Sequence, residues 1–179
     1  TLLAACHSAS LAWSDHILPA IEHGDIAVRL RPLVTDLAAP LYGIAPPGDT
    51  GRLFILEQNG LVLVKELGSP AAPSVALDLQ SRVSPPLNVT SFNDERGLLG
   101  LAFHPDFFNE GSPGHRTLYT YTSEPVEGNP LTFPVPVDPV DGGMNNYVNV
   151  VSEYKMTTPT SNVIDPASRR VVFTIGKHL

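Results

Sequence analysis

The stretch "RLFILEQNGLVLVKEL", residues 52–67, decides the fold class of this chain. Two apolar runs flank the dipeptide Asn59-Gly60, which favours the tight turn with positive φ that joins two antiparallel strands. The stretch therefore predicts a β-hairpin.

The rest of the chain repeats short β-type runs separated by turn residues. It contains 18 prolines and 14 glycines, and no long stretch has apolar residues at helical spacing. Residues 26–34 alternate apolar and polar side chains as a half-buried strand does, and "APPGDTG" at 45–51 predicts a turn. Further strands are predicted in "SVALDLQ", "GLLGLAFHPDF", "RTLYTYTSE", "YVNVVSEYKM" and "RRVVFTI". At least seven short strands indicate an all-β sandwich or the blades of a β-propeller.

One proline-dense segment interrupts this pattern. Residues 123–146, "SEPVEGNPLTFPVPVDPVDGGMNN", show no periodicity and are interpreted as a long loop, either a functional rim or a simple insertion.

Charge and composition exclude several function classes. The net charge is −7, and only 11 lysines and arginines are spread along 179 residues, which disfavours nucleic-acid binding. The single cysteine excludes an intrachain disulfide framework, and no Cys/His spacing fits a zinc site. No run of about 18 apolar residues occurs, so no transmembrane segment is predicted.

The N-terminal lead, residues 1–24, indicates export. "TLLAACHSASLAW" is typical of the end of an apolar signal segment, and Leu3-Ala4-Ala5-Cys6 is similar to a bacterial lipoprotein box, which would make Cys6 a lipidation site. A short apolar helix is the alternative. The chain begins at Thr1 without Met and stops after a strand-like run, so we expect it to be a piece of a longer protein.

The residues before a predicted buried strand are the candidate site. Gly97 and Gly100 allow a sharp turn or a close approach, and His104-Pro105-Asp106 ends the strand, with His104 expected to form a hydrogen bond within a tight turn. Glu95 and Arg96 lie at the entry edge, which in a propeller lines the central funnel. They are either ligand-binding residues or a local ion pair.

Other motifs carry less chemistry. The remaining histidines lie in the lead, in a turn or at the C-terminus, namely His7, His16, His23, His115 and His178. No catalytic triad spacing, P-loop or dinucleotide fingerprint occurs. "DPVDGG" at 138–143 has two carboxylates but lacks the ligand pattern of an EF-hand, and Asn88-Val-Thr is a glycosylation sequon only in a secreted eukaryotic protein.

From residue 24 onward the chain resembles the soluble pyrroloquinoline quinone (PQQ)-dependent sugar dehydrogenases, the glucose/sorbosone dehydrogenase family, which includes Hedgehog-interacting-protein-like propellers. The most specific piece runs from Glu95 to Phe107, "ERGLLGLAFHPDF", followed by a Tyr-rich strand, and the Asp165–Ser168 turn supports it. The resemblance implies that residues 25–179 are an incomplete domain, about the first two blades of a six-bladed β-propeller.

The resemblance also implies a chemistry. Members of the enzyme type bind PQQ and calcium and oxidise an aldose sugar at its anomeric carbon, with a histidine as base and a hydride passing to the quinone, which an electron acceptor then reoxidises. That histidine is expected just after Leu179, and the cofactor and calcium ligands are expected in later blades, so no catalytic residue is assigned within this chain. The expected location is periplasmic or extracellular.

Glu95 departs from the family pattern. Sugar-oxidising members have a substrate-contacting glutamine at this position, and an ionised carboxylate accepts hydrogen bonds but cannot donate them, so substrate choice is expected to differ from glucose. Two alternatives to the sugar dehydrogenase stay open: a non-catalytic propeller of the same family that binds a protein or glycan partner, and a surface lipoprotein propeller held by Cys6.

Overall fold

The structure is a computed structural model that describes residues 24, 32–83, 94–133 and 147–177. The chain divides into two units, Thr1–Arg31 and Pro32–Leu179, and the description below concerns the second. The strand predicted at 26–34 falls mostly outside the described residues. Its described part, 32–34, lies in no strand, so the prediction is wrong there.

The first four strands form one antiparallel sheet, which we call sheet A. Its strands are β1 (Pro40–Ile44), β2 (Arg52–Glu57), β3 (Leu61–Glu66) and β4 (Ser74–Asp78), and each pairs with the next along the chain. Strands β2 and β3 form the predicted hairpin, in which Glu57 lies opposite Leu61. Gly60 adopts a φ of 107° in the turn between the two strands. This confirms the prediction that the hairpin turns at Asn59-Gly60.

The next four strands repeat this arrangement in sheet B. They are β5 (Leu98–Phe103), β6 (Thr117–Glu124), β7 (Tyr147–Met156) and β8 (Ile164–Lys177), again paired in sequence order. The predicted turn at Asp165–Ser168 lies inside β8, where the register shifts opposite Glu153 and Lys155. Two consecutive four-stranded antiparallel meanders are the pattern of propeller blades.

A continuous apolar core joins the two sheets. Strands β2, β3 and β7 contribute core residues spaced two apart, as the period of a strand requires, and β5 and β6 add further residues to the same core. Phe54 is fully buried, and its ring lies edge-to-face 5.0 Å from that of Phe103, which contacts Phe107 in turn. Burial of these rings, together with the aliphatic residues of the same core, holds sheet A against sheet B.

Arg52 adds a polar link between the sheets. Its guanidinium donates from Nη2 to the Pro159 carbonyl at 2.7 Å and from Nη1 to the Ser161 carbonyl, both in the β7–β8 loop. Asp49, in the predicted turn at 45–51, balances the charge by accepting from Nε at 2.6 Å. The guanidinium also lies 5.5 Å from the centre of the Phe54 ring. One residue at the start of β2 therefore fixes a loop of sheet B.

The described part of the long loop, residues 125–133, returns along β8. Thr132 donates its backbone N–H to the Thr174 carbonyl at 3.1 Å, and Phe133 forms an isolated bridge with Ile175. Residues 134–146 lie outside the described part of the chain.

Candidate functional site at the start of β5

The candidate site is the short segment Asp94–Gly97, which enters β5 beside the hairpin turn of sheet A. Gly97 has a φ of 123°, a conformation that residues with a Cβ rarely adopt. A Cβ at this position would also overlap the backbone carbonyl of Gln58. The predicted close approach is thus confirmed at Gly97, and Gln58 is the neighbour that it approaches.

Gln58 holds this segment through three hydrogen bonds. Its side-chain Nε2 donates to the Asp94 carbonyl at 2.7 Å and to the Arg96 carbonyl at 2.8 Å. Its backbone carbonyl accepts from the Leu98 N–H at 3.0 Å. The backbone on both sides of Glu95 is therefore fixed by a residue of the other sheet.

The ion pair at this edge differs from the predicted alternative. Arg96 pairs with Asp94 and not with Glu95: its Nε donates to Asp94 Oδ1 at 2.9 Å and its Nη2 to Oδ2 at 2.8 Å. The Asp94 carboxylate also accepts the backbone N–H of Arg96 at 3.1 Å. The side-chain hydrogen bond to Asp94 raises the pKa of Arg96, although burial opposes it.

A local turn explains this pairing. Asp94 Oδ1 accepts the N–H two residues further on, which is the hydrogen bond of an Asx-turn and brings the Asp94 carboxylate against Arg96. Glu95 is exposed, while Asp94 and Arg96 are half-buried. The carboxylate of Glu95 takes no part in this ion pair.

Tyr147 lies in the electrostatic surroundings of Glu95, and Tyr121 interacts with Tyr147 in turn. Tyr147 opens β7 and is buried; burial raises the pKa of its phenol first, and the nearby charge of Glu95 raises it further, whereas Arg96 lowers it. Burial also raises the pKa of Tyr121. Both phenols stay protonated at neutral pH and retain an O–H donor.

His104 does not belong to this site. Its Nδ1 accepts the Asp106 N–H at 3.0 Å, and Gly114 packs closely against the imidazole ring. The expected hydrogen bond within a tight turn is confirmed, which leaves His104 a structural residue.

A groove on the outer face of sheet A lies apart from Glu95. It has a volume of 580 Å³, and its walls include the buried charged residues Glu57 and Lys65. Both are used within the chain, since Glu57 Oε1 accepts the Ala38 N–H at 2.6 Å and Lys65 Nζ donates to the carbonyls of Ser69 and Ala71. Neither side chain indicates a ligand class for the groove.

Several predicted positions lie outside the described residues. They are Cys6, His7, His16, His23, Asn88, the segment 138–143 and His178. Within the described ranges, no group of three or more His, Cys, Asp or Glu side chains could hold a metal ion. No described helix is long and apolar enough to cross a membrane.

Sequence reasoning missed Gln58 and Tyr147 as parts of this site. Gln58 follows β2 in a hairpin that the sequence predicts, but no local signal connects it to residues 36 and 38 positions later. Tyr147 stands at the end of the long loop, and only the pairing of β6 with β7 brings it near Glu95.

Comparison with known proteins gives a likeness in fold. No family model matches the chain. The chain is similar to the crystal structure of a Thermus thermophilus protein assigned as an oxidoreductase (glucose dehydrogenase), with 23% sequence identity and a TM-score of 0.50. The match covers 83% of this chain but 32% of the other, so the chain spans about a third of that structure. At this identity the likeness concerns the fold, and it agrees with the fold class predicted from sequence: an all-β chain that forms about two blades of a six-bladed β-propeller.

Proposed function

We propose that this chain is part of an oxidoreductase that oxidises an aldose sugar at its anomeric carbon, with PQQ as the hydride acceptor and calcium as a second cofactor. The observation that carries the proposal is the exposed carboxylate of Glu95, which projects from a backbone held on both sides by Gln58. The fold likeness to a protein assigned as a glucose dehydrogenase supports the reaction class.

The chemistry of Glu95 suits a polyhydroxyl ligand. An ionised carboxylate has two oxygens that accept hydrogen bonds from neighbouring sugar hydroxyls, and it cannot donate. The phenol of Tyr147, whose pKa the charge of Glu95 helps to raise, is protonated at neutral pH like an ordinary tyrosine. Sugars that present two adjacent hydroxyl donors to Glu95 are therefore the preferred substrates.

The predicted contact of Arg96 with the sugar stays a prediction. Its Nε and Nη2 atoms already donate to Asp94, so the guanidinium holds the segment that carries Glu95. In the proposal Arg96 stabilises the segment and Glu95 contacts the ligand.

The described residues contain no set of side chains for the metal cofactor. These residues include no cluster of three metal-ligating side chains, which does not fit a calcium site on this part of the chain. We assign the catalytic histidine, the calcium ligands and the PQQ ligands to parts of the protein beyond Leu179. Export to the periplasm or the cell exterior, with or without a lipid on Cys6, remains part of the same proposal.

The test of this site compares Glu95→Gln with the matched control Glu110→Gln. Glu110 is also exposed, and it lies in the loop after β5. The intact protein that contains this chain is assayed for dye reduction with a panel of aldoses. Glu95→Gln is expected to change the ratio of kcat/KM values between aldoses by about tenfold, as expected when one hydrogen-bonding group at a substrate hydroxyl changes type. Glu110→Gln is expected to leave the ratio unchanged.

Two other results would change the proposal. An unchanged sugar preference in Glu95→Gln would remove Glu95 from the substrate site. Aldose binding without oxidation would support instead the non-catalytic propeller that binds a glycan partner.

A further inference from the structure

We propose that Gln58 is a positioning residue for the ligand site at Glu95, so that the hairpin turn of sheet A sets the site presented by sheet B. This inference rests on the proposed function of Glu95. It assigns a role to a residue that contacts no ligand itself and acts through the backbone of Asp94–Arg96.

The geometry uses both donors of the Gln58 amide. A side-chain amide has two N–H groups, and Nε2 of Gln58 lies 2.7 Å from the Asp94 carbonyl and 2.8 Å from the Arg96 carbonyl. These two carbonyls flank Glu95. The Gln58 backbone carbonyl continues the contact by accepting from Leu98, the first residue of β5.

Gln58 is itself held rigidly. Its backbone N–H donates to the Ala39 carbonyl at 2.9 Å, and the Gly60 N–H closes the turn on the Glu57 carbonyl at 3.0 Å. A Cβ on Gly60 would overlap the backbone at Leu79 and Gln80, so the turn also packs against the end of sheet A. We call the two hydrogen bonds from Gln58 Nε2 to the Asp94 and Arg96 carbonyls the clamp on Glu95. The clamp is therefore anchored in a packed part of the molecule.

The contact depends on the amide donor of Gln58 and on the length of its side chain. A methionine has similar length but no donor, and a glutamate would place acceptor oxygens against two carbonyl acceptors. An asparagine keeps the amide but is one methylene shorter. Each of these changes frees the backbone around Glu95, whereas the apolar core and the Asp94–Arg96 pair keep their contacts.

The functional consequence is preorganisation of the ligand site. When the backbone on both sides of Glu95 is fixed before binding, less conformational entropy is lost when the sugar binds. Loss of the clamp is expected to raise KM for the preferred aldose about tenfold, with a smaller change in kcat, because preorganisation contributes mainly to binding.

The experiment uses Gln58→Met and Gln58→Asn in the intact protein, with Gln80→Met as the matched control, since Gln80 is exposed at the end of sheet A. Each variant is also made in a Glu95→Ala background. Both Gln58 variants are expected to raise KM in the Glu95 protein and to have no effect in the Glu95→Ala protein, and Gln80→Met is expected to change neither. Gln58→Asn retains an amide in the half-buried turn and carries the test if Gln58→Met does not fold.

A second readout follows the clamp directly. Hydrogen exchange at the amide of Arg96, which donates to Asp94 Oδ1, is expected to accelerate in both Gln58 variants. A wild-type protein that oxidises aldoses while KM is unchanged in the Gln58 variants would refute this inference alone. An equal rise of KM with and without Glu95 would also refute it, because Gln58 would then act by another route. A wild-type protein without any aldose oxidation or binding would refute the proposed function itself.

Discussion

Replacement of Gly97 by alanine tests how the candidate site is built. Gly97 combines a φ of 123° with direct contact between the two sheets, since an added Cβ would meet the Gln58 carbonyl. The unusual backbone conformation costs about 1–3 kcal/mol for a residue with a Cβ. Displacement of the Gln58 carbonyl also weakens its hydrogen bond to Leu98, which contributes about 0.5–1.5 kcal/mol.

The expected loss in the free energy of unfolding for Gly97→Ala is therefore about 2–4 kcal/mol. Substitutions at two other glycines separate the cost of the backbone conformation from the cost of the close contact. Gly128 has a φ of 79° but open space around it, so Gly128→Ala is expected to cost about 1–2 kcal/mol from conformation alone. Gly68 has open space and no positive φ, so Gly68→Ala is expected to change stability by less than about 0.5 kcal/mol.

Urea unfolding of the three variants and the wild type measures these differences, provided that the m-value stays constant. The predicted order of destabilisation is Gly97, then Gly128, then Gly68. If Gly97→Ala were no more destabilising than Gly128→Ala, the close contact between Gly97 and Gln58 would not exist as described, and the clamp on Glu95 would lose its basis.

The remaining predictions concern the core and one surface ion pair. Phe54→Ala removes a fully buried ring between the sheets and is expected to lower the free energy of unfolding by about 3–5 kcal/mol, measured by urea unfolding; a loss below about 1 kcal/mol would contradict the described packing. Arg170 hydrogen-bonds Glu153 and lowers the pKa of that carboxyl, so the stabilisation is present above the usual glutamate pKa of about 4.3 and is lost as pH falls through the lowered value. The stability difference between wild type and Arg170→Gln is thus expected to vanish in acid, and a difference that persists at low pH in thermal unfolding would assign it to another cause.

Local sequence patterns predict most strands of this chain well. The hairpin of β2 and β3 and the bounds of β7 follow directly from alternation and from Asn59-Gly60. The first strand, Pro40–Ile44, escapes prediction because it is short, begins with proline and has mostly exposed side chains. It becomes a strand by pairing with β2, which is a property of the folded sheet and not of its own residues.

The position of the candidate site could be predicted from the sequence, but the contacts within it could not. The segment before β5 stands out in the sequence, yet an ion pair between its adjacent residues is the wrong expectation, since a local turn at Asp94 brings its carboxylate against Arg96. Gln58 could not be predicted, because its contact depends on how sheet A packs against sheet B. Long-range packing of this kind has no counterpart in local sequence patterns.

The central claim is most directly tested by an activity assay of the intact protein that contains this chain. The purified protein is titrated with PQQ and calcium, and reduction of an artificial dye is followed with several aldoses. The expected result is aldose-dependent dye reduction that requires both additions. Absence of dye reduction, together with no spectral evidence of PQQ binding, would contradict the proposed dehydrogenase.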